Sequence, residues 1–224
     1  MEEKTLYTAQ GAGIESIVST NRVLKNTYIL LSMTLLFSAV TAGVSMAVGL
    51  SHGAGFLCSI VAIGLLWFAL PRTANSGKGL VVVFAITGLL GAGLGPMLTY
   101  YLAMPNGGAT VMQALGGTAI VFFGLSGYAL STRKDFSYLG GFLVVGLIVA
   151  LLAIVANIFL RIPALDLTIS AAIILIMSGF ILFDTSRIIH GGETNYIMAT
   201  VTLYITIYNL FTSLLHLLGV FGDE

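Results

Sequence analysis

Seven long apolar segments occupy most of this 224-residue chain. They lie at 27–50, 55–70, 79–102, 113–131, 138–160, 167–187 and 196–221. All but the shorter second segment come close to the roughly 20 residues that a helix needs to cross roughly 30 Å of hydrocarbon. Hydrophobic residues make up 58% of the chain and charged residues only 8%, which is too few for the surface of a soluble protein of this size. The pattern therefore predicts an all-α membrane protein with seven transmembrane helices.

The basic residues predict the orientation of these helices. The connecting loops are short, so the positive-inside rule applies to them. If the spans alternate in direction, all but one of the nine basic residues fall on the same side: Lys4, Arg22, Lys25, Arg72, Lys78, Arg133, Lys134 and Arg187. Only Arg161 falls on the other side. We therefore expect the amino terminus in the cytoplasm and the carboxyl terminus on the extracytoplasmic side.

The segments outside the membrane give no sign of a further domain. Residues 1–26 are polar and lack the apolar core of a secretion signal, so we expect a retained cytoplasmic tail. Residues 27–221 then form the transmembrane domain, and 222–224 form a short extracytoplasmic tail. The single cysteine, Cys58, lies within a span and offers neither a disulfide nor a thiolate metal site. A formal net charge of zero gives no indication of nucleic-acid binding, and we expect no catalytic residue, metal or cofactor.

Two motifs that look functional are better explained by helix packing. Gly91 and Gly95 form a GxxxG pair inside span three, and such pairs let two helix backbones approach closely. A GxSG motif at Ser126 matches the nucleophile of rhomboid intramembrane proteases, for which His216 could be proposed as the base. Ser126 lies near the cytoplasmic end of span four, whereas His216 lies about 20 residues, or roughly 30 Å, along span seven from that side. A catalytic pair must approach to about 3 Å, so we interpret Ser126 as a packing hydroxyl.

Polar side chains form a stripe at helical spacing on two of the spans. The stripes consist of Thr34, Ser38, Thr41 and Ser45 in span one, and of Thr202, Thr206, Asn209, Ser213 and His216 in span seven. Such a stripe points away from lipid, toward other helices or a wet cavity. Asn209 is costly to expose to hydrocarbon, so we expect other helices to enclose span seven.

Asp184 is the one acid that we expect at membrane depth. It lies about six residues, or roughly 9 Å, before His190 if the sixth helix continues that far. An ionisable group inside a membrane is a candidate functional residue. The alternatives are an interfacial pair with Arg187 at i, i+3, or a helix end that frays into water. The sequence leaves these possibilities open.

Three motifs resemble the Bax-inhibitor (transmembrane Bax-inhibitor motif) family. They are the run TRKDFSYLGGF from Thr132, the run FDTSRIIHGGETNY from Phe183, and Leu203-Tyr204 followed by the NLF run from Asn209. The HGGETNY part is most similar to the bacterial YccA type, a modulator of the ATP-dependent membrane protease FtsH. The resemblance implies an inner-membrane protein in which a central helix seven is wrapped by helices one to three and four to six.

Other members of this family are pH-sensitive calcium leak channels, which implies a second hypothesis. In those proteins an aspartate on helix six and another on helix seven share a proton, and an arginine of helix two latches the pair. Asp184 matches the first aspartate, Thr206 occupies the position of the second, and Arg72 approximately matches the arginine. Without the second carboxylate, the coupling between two like charges is absent. The polar path on helix seven would consist of Thr202, Asn209 and Ser213.

The leading hypothesis is a non-enzymatic protein of the bacterial inner membrane that binds FtsH and restrains its degradation of membrane substrates. Its expected partners are membrane lipid and the FtsH protease complex. The alternative is a calcium or cation leak channel with an incomplete aspartate sensor, for which the calcium ion is the partner.

Overall fold

Seven long helices make up the computed structural model, which describes the backbone of residues 2–221 and the side chains of residues 20–221. The helices are α1 (Glu2–Ala47), α2 (His52–Thr73), α3 (Lys78–Leu102), α4 (Gly107–Thr132), α5 (Leu139–Leu160), α6 (Pro163–Ile189) and α7 (Tyr196–Phe221). All seven are long and apolar enough to cross a membrane, with Thr20–Ala47 as the candidate span of α1. The prediction of an all-α protein with seven membrane-spanning helices is therefore confirmed. The tail predicted at 222–224 lies outside the described residues.

The helix ends follow from local sequence chemistry. The Ser51 hydroxyl accepts a hydrogen bond from the N–H of Ala54 at 3.3 Å and caps the start of α2. Asn157 closes the end of α5, because its side-chain oxygen accepts from the N–H of Ile162 at 3.0 Å. Helix α6 begins at Pro163, four residues before the predicted start of that span, because proline fits the first turn of a helix.

Helix α2 changes its winding near Pro71. Leu65–Ala69 form a π-helical turn, and Leu70–Thr73 then return to α-helix. Proline has no N–H to donate, so the regular hydrogen-bond ladder of the helix is interrupted just before it. The guanidinium of Arg72 donates to the carbonyl oxygen of Phe68 in this irregular stretch.

Helices α1 and α3 pack through the polar stripe of the first and the glycines of the second. A Cβ atom placed on Gly91 would overlap the Thr41 hydroxyl and the backbone oxygen of Ser38, and one placed on Gly95 would overlap the Ser45 hydroxyl. The Ser45 hydroxyl also donates to a backbone carbonyl of α3 at 2.7 Å. The interpretation of the GxxxG pair as a site of close helix packing is confirmed.

Helix α7 lies at the centre of the contacts. It packs against α1, α3, α4 and α6, whereas α2 packs mainly on α3 and α5 mainly on α6. The hydroxyl of the fully buried Tyr204 donates to the carbonyl of Thr87 in α3 at 3.2 Å and lies 2.6 Å from the Ser38 hydroxyl of α1. The stripe on span seven therefore predicted an enclosed helix correctly. The grouping of the other six helices into two sets of three stays a prediction.

Candidate functional site

Asp184 lies inside α6, which continues to Ile189. Its side chain is only 6% exposed, so this part of the helix does not fray into water. The Oδ2 atom has no hydrogen-bond partner among the described residues. The guanidinium of Arg187 lies 3.7 Å from the carboxylate of Glu193, so its ion-pair partner is in the loop after α6. Asp184 is thus a buried acid that the surrounding helices do not fully pair.

The structure brings Asp184 and Thr206 together and places Arg72 elsewhere. Thr206 of α7 is a neighbour of the Asp184 carboxyl group, although its hydroxyl donates to the carbonyl of Thr202 at 3.0 Å. Arg72 is exposed, and its guanidinium donates to Phe68 of its own helix. Arg72 therefore bonds within α2 in this structure and does not act as the latch that the family resemblance implies.

Part of the polar stripe on α7 faces a cavity of about 450 Å³. Thr202, Thr206 and Asn209 line it, whereas Ser213 is buried in the helix packing. The other walls come from α2, α5 and α6 and are apolar. The π-helical turn of α2 contributes Leu66 and Trp67 to this cavity. The sequence analysis did not predict that this turn of α2 would line the cavity, although Pro71 indicates an irregular helix there.

Ser126 and His216 belong to separate hydrogen-bond networks. The Ser126 hydroxyl bonds to the hydroxyls of Tyr28 in α1 and of Thr185 in α6, the latter at 3.2 Å. The Nδ1 atom of His216 lies 3.1 Å from the Tyr101 hydroxyl, and its Nε2 atom lies 2.9 Å from the Asp166 carboxylate. The interpretation of Ser126 as a packing hydroxyl is confirmed. The network around His216 ties α3, α6 and α7 at the opposite end of the bundle.

The first two family motifs meet at the end of the bundle that carries most basic residues. The N–H of Phe136, in the α4–α5 loop, donates to the Ser186 hydroxyl of α6 at 3.0 Å. The Nε2 atom of His190 lies 3.1 Å from the carbonyl oxygen of Arg133 in the same loop. These two contacts hold the loop against the end of α6. The motifs thus have a structural role that their spacing alone did not reveal.

The HGGETNY run builds the start of α7. The side-chain oxygen of Asn195 accepts from the N–H of Ile197 at 2.9 Å and caps the helix. The amide nitrogen of Asn195 donates to the carbonyl of Ala74 at 3.1 Å, which fastens the start of α7 to the α2–α3 loop. The Glu193 carboxylate accepts a hydrogen bond from the N–H of Asn195 at 2.9 Å and forms an ion pair with Arg187. These contacts connect the end of α6 to the start of α7.

Known proteins share this sequence over nearly its whole length. Residues 20–223 match the family described as "Inhibitor of apoptosis-promoting Bax1". The chain is 55% identical to the Escherichia coli K12 protein named "Modulator of FtsH protease YccA", over 91% of this chain and 92% of that protein. It is 50% identical to an uncharacterized membrane protein of Vibrio cholerae, over 95% of this chain and 96% of the relative. The chain therefore belongs to the Bax-inhibitor family of seven-helix membrane proteins.

Proposed function

We propose that this protein binds an FtsH-type ATP-dependent protease in the bacterial inner membrane and restrains its degradation of other membrane proteins. The observation that carries the proposal is the 55% identity to a protein named as a modulator of the FtsH protease. A second Escherichia coli relative, also 55% identical, is named an inner membrane protein, which supports the same location. The basic residues at one end of the bundle support a cytoplasmic amino terminus.

The chemistry of the described residues favours a binding role over catalysis. The hydroxyl of Ser126 is engaged in contacts between helices, and His216 is bonded to a tyrosine and an aspartate far from it. The motif residues around His190 and Asn195 are likewise engaged in fastening loops.

The amino-terminal part of α1 is the natural contact for the protease. Residues 1–26 are the predicted cytoplasmic tail, and the apolar segment of α1 begins at Thr27. This tail precedes the membrane on the side rich in basic residues. An ATP-dependent protease pulls on polypeptide that reaches out of the membrane, and this segment offers such a handle.

Co-purification from detergent-solubilised membranes tests the proposal. We expect the protease to be enriched with the tagged full-length chain and to be lost from a variant that lacks residues 2–19. A variant that lacks residues 222–224 is the matched control and should retain the protease. Deletion of the gene should shorten the half-lives of membrane substrates of the protease. Absence of enrichment, together with unchanged half-lives, would refute the proposal.

A cation leak along α7 is the second candidate function, and the cavity beside Thr202, Thr206 and Asn209 favours it. Protonation of the buried Asp184 carboxyl group would regulate this path. We expect the reconstituted protein to admit calcium into vesicles and Asp184→Asn to abolish the dependence of that flux on pH. Asp166→Asn, which changes an acid at the opposite end of the bundle, is the control. Flux no greater than that of protein-free vesicles would exclude this function.

A further inference from the structure

A long apolar groove runs between α1 and α4. Its volume is about 470 Å³, and its floor is formed by α7, including Tyr204, Tyr208 and Phe211. Along α1 the lining residues extend from Tyr28 to Met46, which corresponds to roughly 27 Å at about 1.5 Å per residue. The groove therefore covers nearly the whole hydrocarbon thickness of roughly 30 Å.

A second cavity, of about 280 Å³ and with different chemistry, lies next to this groove at the basic end of the bundle. It lies between α1, the end of α4 and the end of α6, and Asn21, Arg133 and His190 are among the residues that line it. The hydrogen bond between Tyr28 and Ser126 joins α1 to α4 between the two cavities. The α1–α4 cleft, as we name these two neighbouring cavities, has an apolar groove at membrane depth and a polar cavity at the membrane surface.

Arg133 places a positive charge on the lining of this surface cavity. Arg133 is exposed and takes part in none of the ion pairs found among the described residues, which involve Arg187 and His216. Lys25 is also exposed and precedes Tyr28 by three residues, which places it one helical turn from the groove on the same side of α1. The nearby carboxylate of Asp135 accepts a hydrogen bond from the N–H of Ser137 at 2.8 Å.

We propose that this cleft binds one anionic phospholipid, with an acyl chain in the α1–α4 groove and the phosphate beside Arg133 and Lys25. A groove that faces hydrocarbon is filled by lipid chains, because water cannot be hydrogen-bonded by its apolar walls. Basic pockets between transmembrane helices at the cytoplasmic surface are suited to acidic headgroups. One acyl chain reaches about half the bilayer, so it occupies the half of the groove between Tyr28 and Ala39.

Native mass spectrometry of the purified full chain tests the headgroup site. The protein is mixed with equal amounts of phosphatidylglycerol and phosphatidylcholine that carry the same acyl chains. Each basic residue near an anionic headgroup contributes about a fivefold preference, so two should give roughly 25-fold for the anionic lipid. Arg133→Gln should reduce this preference about fivefold, and Arg72→Gln, in the last turn of α2 and outside the cleft, should not. Equal retention of the two lipids, or equal effects of the two variants, would overturn the proposal.

A second pair of variants tests the groove. Ser32 lines its inner half, is exposed, and donates only to a backbone carbonyl of its own helix. Ser32→Phe should fill the space and lower lipid retention severalfold, whereas Thr168→Phe removes a similar bond on α6 away from the cleft and should leave retention unchanged. Melting temperatures check that both variants fold. If Ser32→Phe keeps the lipid but loses the protease, a partner helix occupies the groove and the lipid proposal is wrong. If inorganic phosphate displaces the lipid completely, only a surface anion site remains, which also contradicts it.

Discussion

The contact between α1 and α3 makes Gly91 a position where one added methyl group should be costly. The Cβ atom of an alanine there would overlap the Thr41 hydroxyl and the backbone oxygen of Ser38. The hydroxyl can rotate away, but the backbone oxygen moves only if the two helices separate. Overpacking of this kind costs about 1–3 kcal/mol, and the better helix propensity of alanine offsets up to about 1 kcal/mol of it. We therefore expect Gly91→Ala to lower the free energy of unfolding by about 1–2 kcal/mol.

Thermal unfolding in detergent measures this effect. A change of 1 kcal/mol shifts the melting temperature of a chain of this size by about 2–4 °C, so Gly91→Ala should melt about 2–8 °C below the wild type. Gly116→Ala is the matched control, because a Cβ atom at Gly116 of α4 meets no other atom within 4 Å. The control should melt at or above the wild-type temperature. If the two variants have the same melting temperature, the close approach of α1 and α3 at Gly91 does not limit the size of this residue, and the reasoning is refuted.

Three further predictions concern individual hydrogen bonds. Tyr204→Phe removes two buried interhelical bonds and should cost about 0.6–2 kcal/mol, measured as a lower melting temperature. Asn195→Ala removes the cap of α7 and its tie to the α2–α3 loop, so we expect a loss of about 1–2 kcal/mol in the same assay, with Asn106→Ala, where the side chain makes no capping bond, as the control. Hydrogen bonds from Ser137 lower the pKa of Asp135 below its ordinary value, so this contribution to stability is present at neutral pH and is lost as the pH falls through the lowered pKa. The difference in melting temperature between the wild type and Asp135→Asn should therefore disappear in acid, and a difference independent of pH would contradict it.

The sequence predicted the spans well because the membrane imposes a simple rule. A helix that crosses hydrocarbon must be apolar for about 20 residues, and loops interrupt this pattern visibly. The errors lie at helix ends such as Gly107 and Pro163, where polar or proline-containing first turns resemble loops. The π-helical turn before Pro71 was not predicted, because a proline signals that the helix ladder is interrupted but not how the preceding turn rewinds.

The candidate site was only partly predictable. The family resemblance paired Asp184 with Thr206, and the two side chains are neighbours in the structure. The partner of Arg72 is a backbone carbonyl, and a sequence contains no signal that distinguishes such a bond from an ion pair. The contact of His216 with Asp166 joins residues 50 positions apart, and only the packing of α6 against α7 brings them together.

The most direct test of the proposed function is the rate at which an FtsH-type protease degrades a membrane substrate in reconstituted vesicles. The protease and the substrate are held constant, and this protein is either included or replaced by an equal amount of an unrelated seven-helix protein. We expect the degradation rate to fall severalfold when this protein is present, and to return to the control rate when residues 2–19 are removed from it. An unchanged rate at an excess of this protein over the protease would contradict the central claim.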